Sequence, residues 1–218
     1  MLEKIIIEPN TPAQASVIFL HGLGANGHDL SPLVHELDLK QKNKMRFIFP
    51  HAEAIPITIN NGYIMPGWFD IYSFNKDSKE DHQGIEASRL LINQLIEEEH
   101  SKGIEYHNIC LAGFSQGGVI ALDTALKFEH KLAGVIGLSC YLSRFDQNYA
   151  AANKDIKIFL GHGTNDSVVD FSYGANAAER LKNLNYDVVM HKYQMAHSIC
   201  SQEVSDMAGY LNQCFELS

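Results

Sequence analysis

Basic residues are scarce in this chain of 218 residues, where 17 lysines and arginines stand against 26 aspartates and glutamates and the formal charge is −9. A surface of this sign repels a phosphate backbone, so we expect no nucleic acid among the partners. Apolar residues make up 45 % of the chain, enough to bury a substantial core. A neutral or apolar substrate is the expected ligand.

Long apolar runs and the marks of a secretory signal are also missing. No stretch approaches the roughly 20 apolar residues that a membrane helix needs. Residues 1–10 have neither a basic start nor a small-residue cleavage site, so we expect a cytoplasmic protein. The four cysteines lack Cys-x-x-Cys spacing, which predicts neither a disulfide framework nor a zinc site. They are Cys110, Cys140, Cys200 and Cys214.

Apolar runs rich in β-branched residues alternate with stretches of helical period. The runs predict strands at Lys4–Glu8, Ser16–His21, Met45–Pro50, His107–Gly113, Leu132–Ser139, Ile156–Gly161 and Tyr186–Tyr193. The helical stretches are Asp29–Leu39, Glu80–Lys102, Gln116–Phe128, Phe171–Leu184 and Ile199–Phe215. This alternation predicts a single α/β domain over residues 1–218, with a mostly parallel sheet and helices on both faces.

The segment Ala52–Ser78 fits neither period. It mixes prolines and glycines with more apolar side chains than a solvated linker carries, and long loops in compact domains are usually functional. We predict a long loop, with room for a short strand, that forms a mobile lid over the active site and meets lipid or micelle surfaces. Its predicted substrate-binding residues are Ile57, Ile59, Ile64 and Trp68. The alternative is structural cover, with Trp68 packed permanently beneath the loop.

The sharpest motif is Gly113-Phe114-Ser115-Gln116-Gly117, which follows a predicted strand and precedes a predicted helix. This is the context of a nucleophile elbow, whose tight turn leaves no room for side chains two residues on either side of the serine. The motif predicts Ser115 as a nucleophile. The alternative is a Gly-rich turn that only packs a helix on a strand.

The candidate acid and base follow the serine in the order that this arrangement uses, Ser, Asp, His. Asp166 comes directly after a predicted strand, whereas its rival Asp170 is expected to cap the next helix. His197 follows the last predicted strand, whereas its rival His191 lies inside that strand and is expected to be structural. We predict that His197 takes the proton of Ser115 and that Asp166 orients the imidazole.

An oxyanion hole needs two backbone N–H groups, one from the residue after the nucleophile and one from an early loop. Gln116 supplies the first, and Leu23 in the loop His21-Gly22-Leu23-Gly24 is predicted to supply the second. A plain Gly-rich turn is the alternative for that loop. Every role in acyl transfer then has a side chain or an amide, so no metal and no organic cofactor is expected.

Together these segments resemble the carboxylesterase/acyl-protein thioesterase family of small α/β-hydrolases, also called the phospholipase/carboxylesterase family. The resemblance covers nearly the whole chain. The matching residues are His21-Gly22-Leu23-Gly24, Gly27-His28, Phe49-Pro50-His51-Ala52, Gly67-Trp68-Phe69-Asp70, Gly84-Ile85, Gly113-Phe114-Ser115-Gln116-Gly117-Gly118, Leu138-Ser139-Cys140, His162-Gly163 with Asp166, and Met195 with His197-Ser198.

The family's catalytic triad falls on Ser115, Asp166 and His197, and its oxyanion amides fall on Leu23 and Gln116. Two departures lie near the pocket mouth. Ala25-Asn26 stand where Asp-Thr is typical, and Gln194 stands where a glycine often precedes Met195. Substrate preference therefore does not carry over from the family.

The resemblance implies an α/β-hydrolase fold, which we expect to lack a cap domain because only a short connection separates Ser139 from Ile156. It also implies hydrolysis of short- to medium-chain acyl esters, or of acyl-protein or lysophospholipid esters and thioesters. The expected partner is a small acyl ester or an acylated-protein substrate, and whether the chain forms a homodimer stays open. Two rivals remain, a small serine peptidase of the same fold and a non-catalytic module that binds lipid or a partner with an idle triad.

Overall fold

The computed structural model describes residues 2–73, 79–143 and 148–215. Its strands are β1 (Lys4–Ile7), β2 (Ala15–Leu20), β3 (Met45–Pro50), β4 (Ala54–Ile57), β5 (Tyr63–Pro66), β6 (Ile109–Phe114), β7 (Gly134–Leu138), β8 (Lys157–Gly163) and β9 (Asp187–Tyr193). Its α-helices are α1 (Gly27–Leu30), α2 (Leu33–Glu36), α3 (His82–Ser101), α4 (Gln116–Lys127), α5 (Phe171–Asn183) and α6 (Ser201–Cys214).

Seven of these strands form one sheet in the order β1-β3-β2-β6-β7-β8-β9. Every neighbouring pair from β3 to β9 is parallel, and β1 lies antiparallel to β3 at the edge. This confirms the predicted α/β class and mostly parallel sheet. Since parallel strands end at the same edge, the residues that follow β2, β6, β8 and β9 gather there.

Helices cover the sheet on both faces and create two core layers. Within β2, Ile18 and Leu20 belong to one layer, while Val17 and Phe19 belong to the other. The helices α3, α4 and α5 pack in the first layer, and α6 packs in the second with α1 and α2. All six residues of β2 are therefore buried, as expected for a central parallel strand.

The prediction of one helix over Asp29–Leu39 is wrong. The structure has the two short helices α1 and α2 instead, with Pro32 as the residue before α2. Proline lacks the N–H that would continue the hydrogen bonding of α1, and its ring crowds the preceding turn. The helical hydrogen bonding is therefore interrupted at Pro32, although Ser31 and Pro32 keep helical backbone angles.

The segment predicted as an irregular lid contains a β-hairpin. Strands β4 and β5 pair antiparallel, and a 3-10 turn at Thr58–Asn60 followed by Asn61 and Gly62 joins them. Both turn residues have a left-handed backbone, with φ of 56° and 76°. The end of the predicted lid, residues 74–78, lies outside the described residues. A hydrogen-bonded hairpin thus replaces the expected loop over the part that is described.

The apolar side chains of this segment point in different directions. Ile57 and Trp68 are buried in the core, and Ile59 is half-buried. Ile64 is 65 % exposed, next to Tyr63 at 68 %. The indole Nε1 of Trp68 donates a hydrogen bond to the carbonyl of His21 at 2.8 Å, which fixes the ring against the loop after β2. The structure therefore favours the alternative of a permanently packed Trp68.

All four cysteines are free thiols. Burial raises the pKa of the Cys110 thiol well above its usual value and that of Cys140 to about 12. Neither buried thiol is therefore a reactive thiolate near neutral pH. Across the described part of the chain, no helix is both long and apolar enough to cross a membrane.

The close packing of α4 against β2 gives a test with two glycines. A Cβ at Gly117 would collide with the backbone carbonyls of Leu20 and His21, whereas a Cβ at Gly209, on the exposed side of α6, meets nothing within 4 Å. Gly117→Ala should lower the free energy of unfolding by about 1–3 kcal/mol. Gly209→Ala should raise it by about 0.5–1 kcal/mol, because alanine favours a helix. Urea unfolding midpoints measure both changes, and equal midpoints would contradict this packing.

Candidate active site

Ser115 lies at a sharp turn between β6 and α4. Its φ of 54° is unusual for a residue with a side chain. A Cβ at Gly113 would collide with the backbone of Gly117, and the Ser115 N–H donates to the carbonyl of Leu138 at 2.8 Å. The hydrogen bond to β7 thus holds the elbow in place, and the absence of a side chain at Gly113 leaves the space that its tight turn needs.

The structure brings the predicted nucleophile, base and acid into one hydrogen-bonded row. His197 Nε2 lies 2.9 Å from Ser115 Oγ, and His197 Nδ1 lies 2.7 Å from Asp166 Oδ2. The distances fit a neutral imidazole that donates Nδ1–H to Asp166 and accepts the Ser115 hydroxyl at Nε2. A base so oriented can remove the serine proton.

Asp166 is a buried carboxylate whose two oxygens have separate partners. Oδ1 accepts the backbone N–H groups of Val168 and Val169 at 2.9 Å each, which leaves Oδ2 for His197. His162 Nε2 lies 3.5 Å from the same Oδ2 and 2.8 Å from the carbonyl of Val169, to which it donates. Burial lowers the pKa of His162, so it adds no positive charge beside Asp166 near neutral pH.

The two rivals occupy the structural roles predicted for them. Asp170 is the N-cap of α5 and accepts the N–H of Ser172 at 2.9 Å. His191 stacks on Phe159 with ring centroids 5.1 Å apart, and its Nδ1 lies 3.3 Å from Asp206 Oδ2. The predicted cap at Asp170 and the predicted place of His191 inside the last strand are confirmed.

The loop after β2 packs directly against the nucleophile. A Cβ at Gly22 would lie 3.4 Å from Ser115 Cβ, and the Gly24 N–H donates to the carbonyl of Pro66 at 2.8 Å. Leu23 and Gln116 both line the cavity next to Ser115. The N–H of Gln116 belongs to the first turn of α4, where amides have no partner within the helix. Both residues predicted to donate to an oxyanion therefore border the cavity at Ser115.

The side chain of Gln116 ties the elbow to the segment after the hairpin. Its Oε1 accepts the N–H of Trp68 at 2.8 Å, and its Nε2 donates to the carbonyl of Phe69 at 2.5 Å. The amide is almost completely buried. Sequence reasoning assigned a role only to the backbone of Gln116, because the partners lie almost 50 residues away along the chain.

His21 is a second positioning side chain that the sequence did not reveal. Its Nδ1 donates to the carbonyl of Gly22 at 2.7 Å, and its Nε2 accepts the N–H of Ala52 at 3.0 Å. Burial lowers its pKa, which keeps Nε2 free to accept. Through Ala52 and Trp68, His21 therefore joins the loop of Leu23 to the segments that precede and follow the hairpin.

A cavity of about 1000 Å³ opens at the hydroxyl of Ser115. Apolar side chains that line it are Leu30, Leu33, Ile199, Tyr72, Tyr141, Leu142, Val168 and Ala177. Its volume is at the upper end of the range for sites that bury small organic molecules. An acyl chain attached to a carbonyl at Ser115 would find apolar walls there.

The structure does not bring the four predicted acyl-binding residues into this cavity. Within the described ranges, Ile57, Ile59, Ile64 and Trp68 are all absent from its lining, and the same segment contributes residues 69–73 instead. Ile57 and Trp68 are buried, whereas Ile64 is an exposed residue of β5 close to the turn of the hairpin. In the described residues, no group of three or more His, Cys, Asp and Glu side chains could hold a metal ion.

Comparison with known proteins gives matches along nearly the whole chain. The family described as Phospholipase/Carboxylesterase matches residues 2–215. An acyl-protein thioesterase 1 of Cryptococcus neoformans is 35% identical over 235 residues, covering 99% of this chain and 98% of that protein. An acyl-protein thioesterase 1 of Neurospora crassa is 37% identical over 211 residues, covering 91% and 86%. The crystal structure of Arabidopsis thaliana SOBER1 has a TM-score of 0.87 at 27% identity, covering 93% of this chain and 99% of that one. These matches confirm the resemblance and the α/β-hydrolase fold.

The buried amide of Gln116 gives a direct test of the link between elbow and hairpin. Gln116→Glu keeps the shape but replaces the Nε2 donor, so a carboxylate oxygen faces the carbonyl of Phe69. We expect the free energy of unfolding to fall by about 1–3 kcal/mol, the usual cost of an unsatisfied buried group. The exposed control Gln213→Glu should change it by less than about 0.5 kcal/mol. Equal urea midpoints for the two variants would show that the link contributes nothing.

Proposed function

Because this chain belongs to the phospholipase/carboxylesterase family of serine hydrolases, we propose that Ser115, His197 and Asp166 are its catalytic triad. The observation that carries the proposal is the row of hydrogen bonds, 2.9 Å from Ser115 to His197 and 2.7 Å from His197 to Asp166. Ser115 and His197 both line a cavity whose lining is mostly apolar. The reaction is hydrolysis of an acyl ester or thioester through an acyl-enzyme.

In the first half of the reaction, Ser115 Oγ bonds to the acyl carbon while His197 Nε2 takes its proton. The carbonyl oxygen becomes an oxyanion, which the N–H groups of Leu23 and Gln116 stabilise. The carboxylate of Asp166 holds the resulting imidazolium in place. His197 then gives the proton to the leaving alcohol or thiol, whose bond to the acyl carbon breaks.

The second half repeats these steps with water. The water oxygen attacks the acyl carbon while His197 accepts a proton from the water. The bond between the acyl carbon and Ser115 Oγ then breaks as His197 returns the proton to Oγ. A carboxylic acid leaves, and the free serine is restored. No redox step or bound group is required.

We propose acyl esters and acylated proteins as substrates. The apolar cavity suits an acyl chain of short to medium length, and both curated relatives described above are named acyl-protein thioesterase 1. A lysophospholipid offers the same ester chemistry and is the further candidate. A range of p-nitrophenyl esters from acetate to palmitate, measured beside an acyl-thioester, ranks these classes.

Single substitutions test the triad. Ser115→Ala and His197→Ala should each lower kcat by roughly 10³-fold or more while the chain stays folded, because triad members act as a unit. Asp166→Asn should lower it by roughly 10²–10⁴-fold. The matched control Asp170→Asn keeps an N-cap and should change kcat less than about twofold.

The outcomes separate the candidate functions. Ser115→Ala with a tenth of wild-type activity, or a larger loss in Asp170→Asn than in Asp166→Asn, would contradict the assignment. If a fluorophosphonate probe fails to label Ser115 in the wild-type chain, the triad is idle and the chain is a binding module.

We also propose that the hairpin tip, by which we mean Tyr63 and Ile64 at the start of β5, meets lipid or micelle surfaces. Tyr63 and Ile64 are exposed there, and an apolar contact suits a chain of formal charge −9 better than attraction to anionic lipids does. Trp68 serves as the buried anchor of the hairpin. Of the four predicted acyl-binding residues, Ile64 alone is placed for such a contact.

Replacing both tip residues tests this contact. Tyr63→Ser with Ile64→Ser should lower kcat/KM for palmitate esters in micelles by about tenfold or more, since burial of each side chain is worth up to about 1.5–3 kcal/mol. Hydrolysis of soluble acetate should hardly change. The control Leu90→Gln alters an exposed apolar residue of α3 and should affect neither substrate. Equal losses on both substrates would show that the tip is structural.

A further inference from the structure

Next to the strands that carry the triad lies a carboxyl group that the mechanism above does not use. Glu203 is the third residue of α6 and is completely buried. Neither of its carboxyl oxygens has a hydrogen-bond partner among the described residues. Buried carboxyl groups are normally paired or hydrogen-bonded, so the position of this one requires a reason.

The carboxyl of Glu203 fills the space above Gly161 of β8. A Cβ at Gly161 would collide with Glu203 Oε1, so glycine is the residue that leaves room for it. The carbonyl of Gly161 accepts the N–H of Ser139 at 2.8 Å, at the point where β7 ends. Glu203 therefore contacts β8 at the hydrogen bond that joins the ends of β7 and β8.

All three triad residues lie close along the chain, or through one hydrogen bond, to this junction of β7, β8 and α6. Asp166 is in the loop that leaves β8 shortly after Gly161. Ser115 donates its N–H to the last residue of β7. His197 lies just before α6, the helix on which Glu203 is placed. A small movement between α6 and β8 would thus change the distance between His197 and its two partners.

The titratable groups around Glu203 are acids. Asp206 lies on the same helix, Tyr193 approaches from β9, and Cys140 follows β7. His191 of β9 pairs with Asp206 at 3.3 Å. Burial, and then the charge of Asp206, raise the pKa of Glu203 to about 8. The N-terminus of α6 favours an anion, but the carboxyl accepts none of its N–H groups.

We propose that Glu203 is a positioning residue that, as a neutral carboxylic acid, packs α6 against β8 and so keeps His197 within hydrogen-bonding distance of Ser115 and Asp166. The inference rests on the proposed function of these three residues. Among the residues that the structure describes, no cation and no hydrogen-bond donor pairs with this carboxyl group. A carboxylate here must therefore draw in water or leave Gly161. Ionisation of Glu203 therefore loosens the triad and sets an alkaline limit to activity.

The sign of the pH effect follows from linkage. Since the pKa of Glu203 is higher in the folded chain than in the unfolded one, the folded state holds this proton more tightly. Stability from this group is fully present below the ordinary pKa of a glutamate, and it is lost progressively as pH rises from there through about 8. An ordinary serine hydrolase, whose base is already deprotonated, would keep its activity over the same range.

The test is the pH profile of kcat and KM for p-nitrophenyl acetate from pH 6 to 10, together with the rate at which a fluorophosphonate labels Ser115. In the wild-type chain, kcat should fall about tenfold per pH unit above a midpoint near 8, with KM nearly constant. Glu203→Gln, which has the same shape and cannot ionise, should lose this alkaline fall. Circular dichroism at each pH checks that the chain stays folded.

Asp206→Asn supplies a variant that keeps Glu203 in place. Removing the neighbouring negative charge lowers the pKa of Glu203, so the alkaline fall should move to lower pH. A purely structural role of the helix predicts no such shift. This variant keeps the test valid if Glu203→Gln does not fold.

The failures of the two proposals can be told apart. A wild-type profile that stays flat to pH 10, or an alkaline fall with the same midpoint in all three chains, contradicts the role of Glu203 while Ser115 is still labelled. Absence of labelling of Ser115 at every pH contradicts the proposed function itself.

Discussion

The turn at Ser115 constrains the rest of the site, because β6 runs into α4 with almost no connecting chain. The serine takes a φ of 54° there, and side chains at Gly113 or Gly117 would collide with the surrounding backbone. Strain of this kind persists only where the neighbouring structure holds the chain firmly. The buried β2 and β7 provide that support, and the same packing brings the loop of Leu23 against the nucleophile.

The second feature of the site is the small number of charges near Asp166. Asp166 is buried, and one of its carboxylate oxygens accepts two backbone N–H groups. The other oxygen faces the imidazole of His197. The two buried histidines nearby, His21 and His162, have lowered pKa values and stay neutral near neutral pH. In the proposed mechanism, an imidazolium at His197 would then be the one cation next to Asp166 in the described part of the site, which is the arrangement that stabilises it.

The parts of this site that depend on local pattern could be predicted from the sequence. Strand ends, the glycines of the elbow and the order Ser, Asp, His all lie in short stretches, so they predicted the row of Ser115, Asp166 and His197 that the structure shows. Pro32 is an equally local signal, because a proline interrupts helical hydrogen bonding, and it marks the place where the predicted helix Asp29–Leu39 is divided.

The parts that depend on contacts between distant residues could not be predicted. An apolar side chain in a segment rich in proline and glycine gives no sign of whether it faces the core, as Trp68 does, or solvent, as Ile64 does. Hydrogen bonds from Gln116 to the segment after the hairpin join residues far apart in the chain. Glu203 reads as an ordinary helix glutamate until its burial against Gly161 is seen.

The central claim is that the acyl group passes through Ser115, and the most direct measurement is to trap that intermediate. Acid quenching during steady-state hydrolysis of a p-nitrophenyl ester, followed by peptide mass spectrometry, locates the acyl group. We expect one acyl group on the peptide that contains Ser115, and none on that peptide in Ser115→Ala. Turnover with the acyl group on another residue, such as Cys200, or with no acyl-enzyme under conditions where deacylation limits the rate, would contradict it.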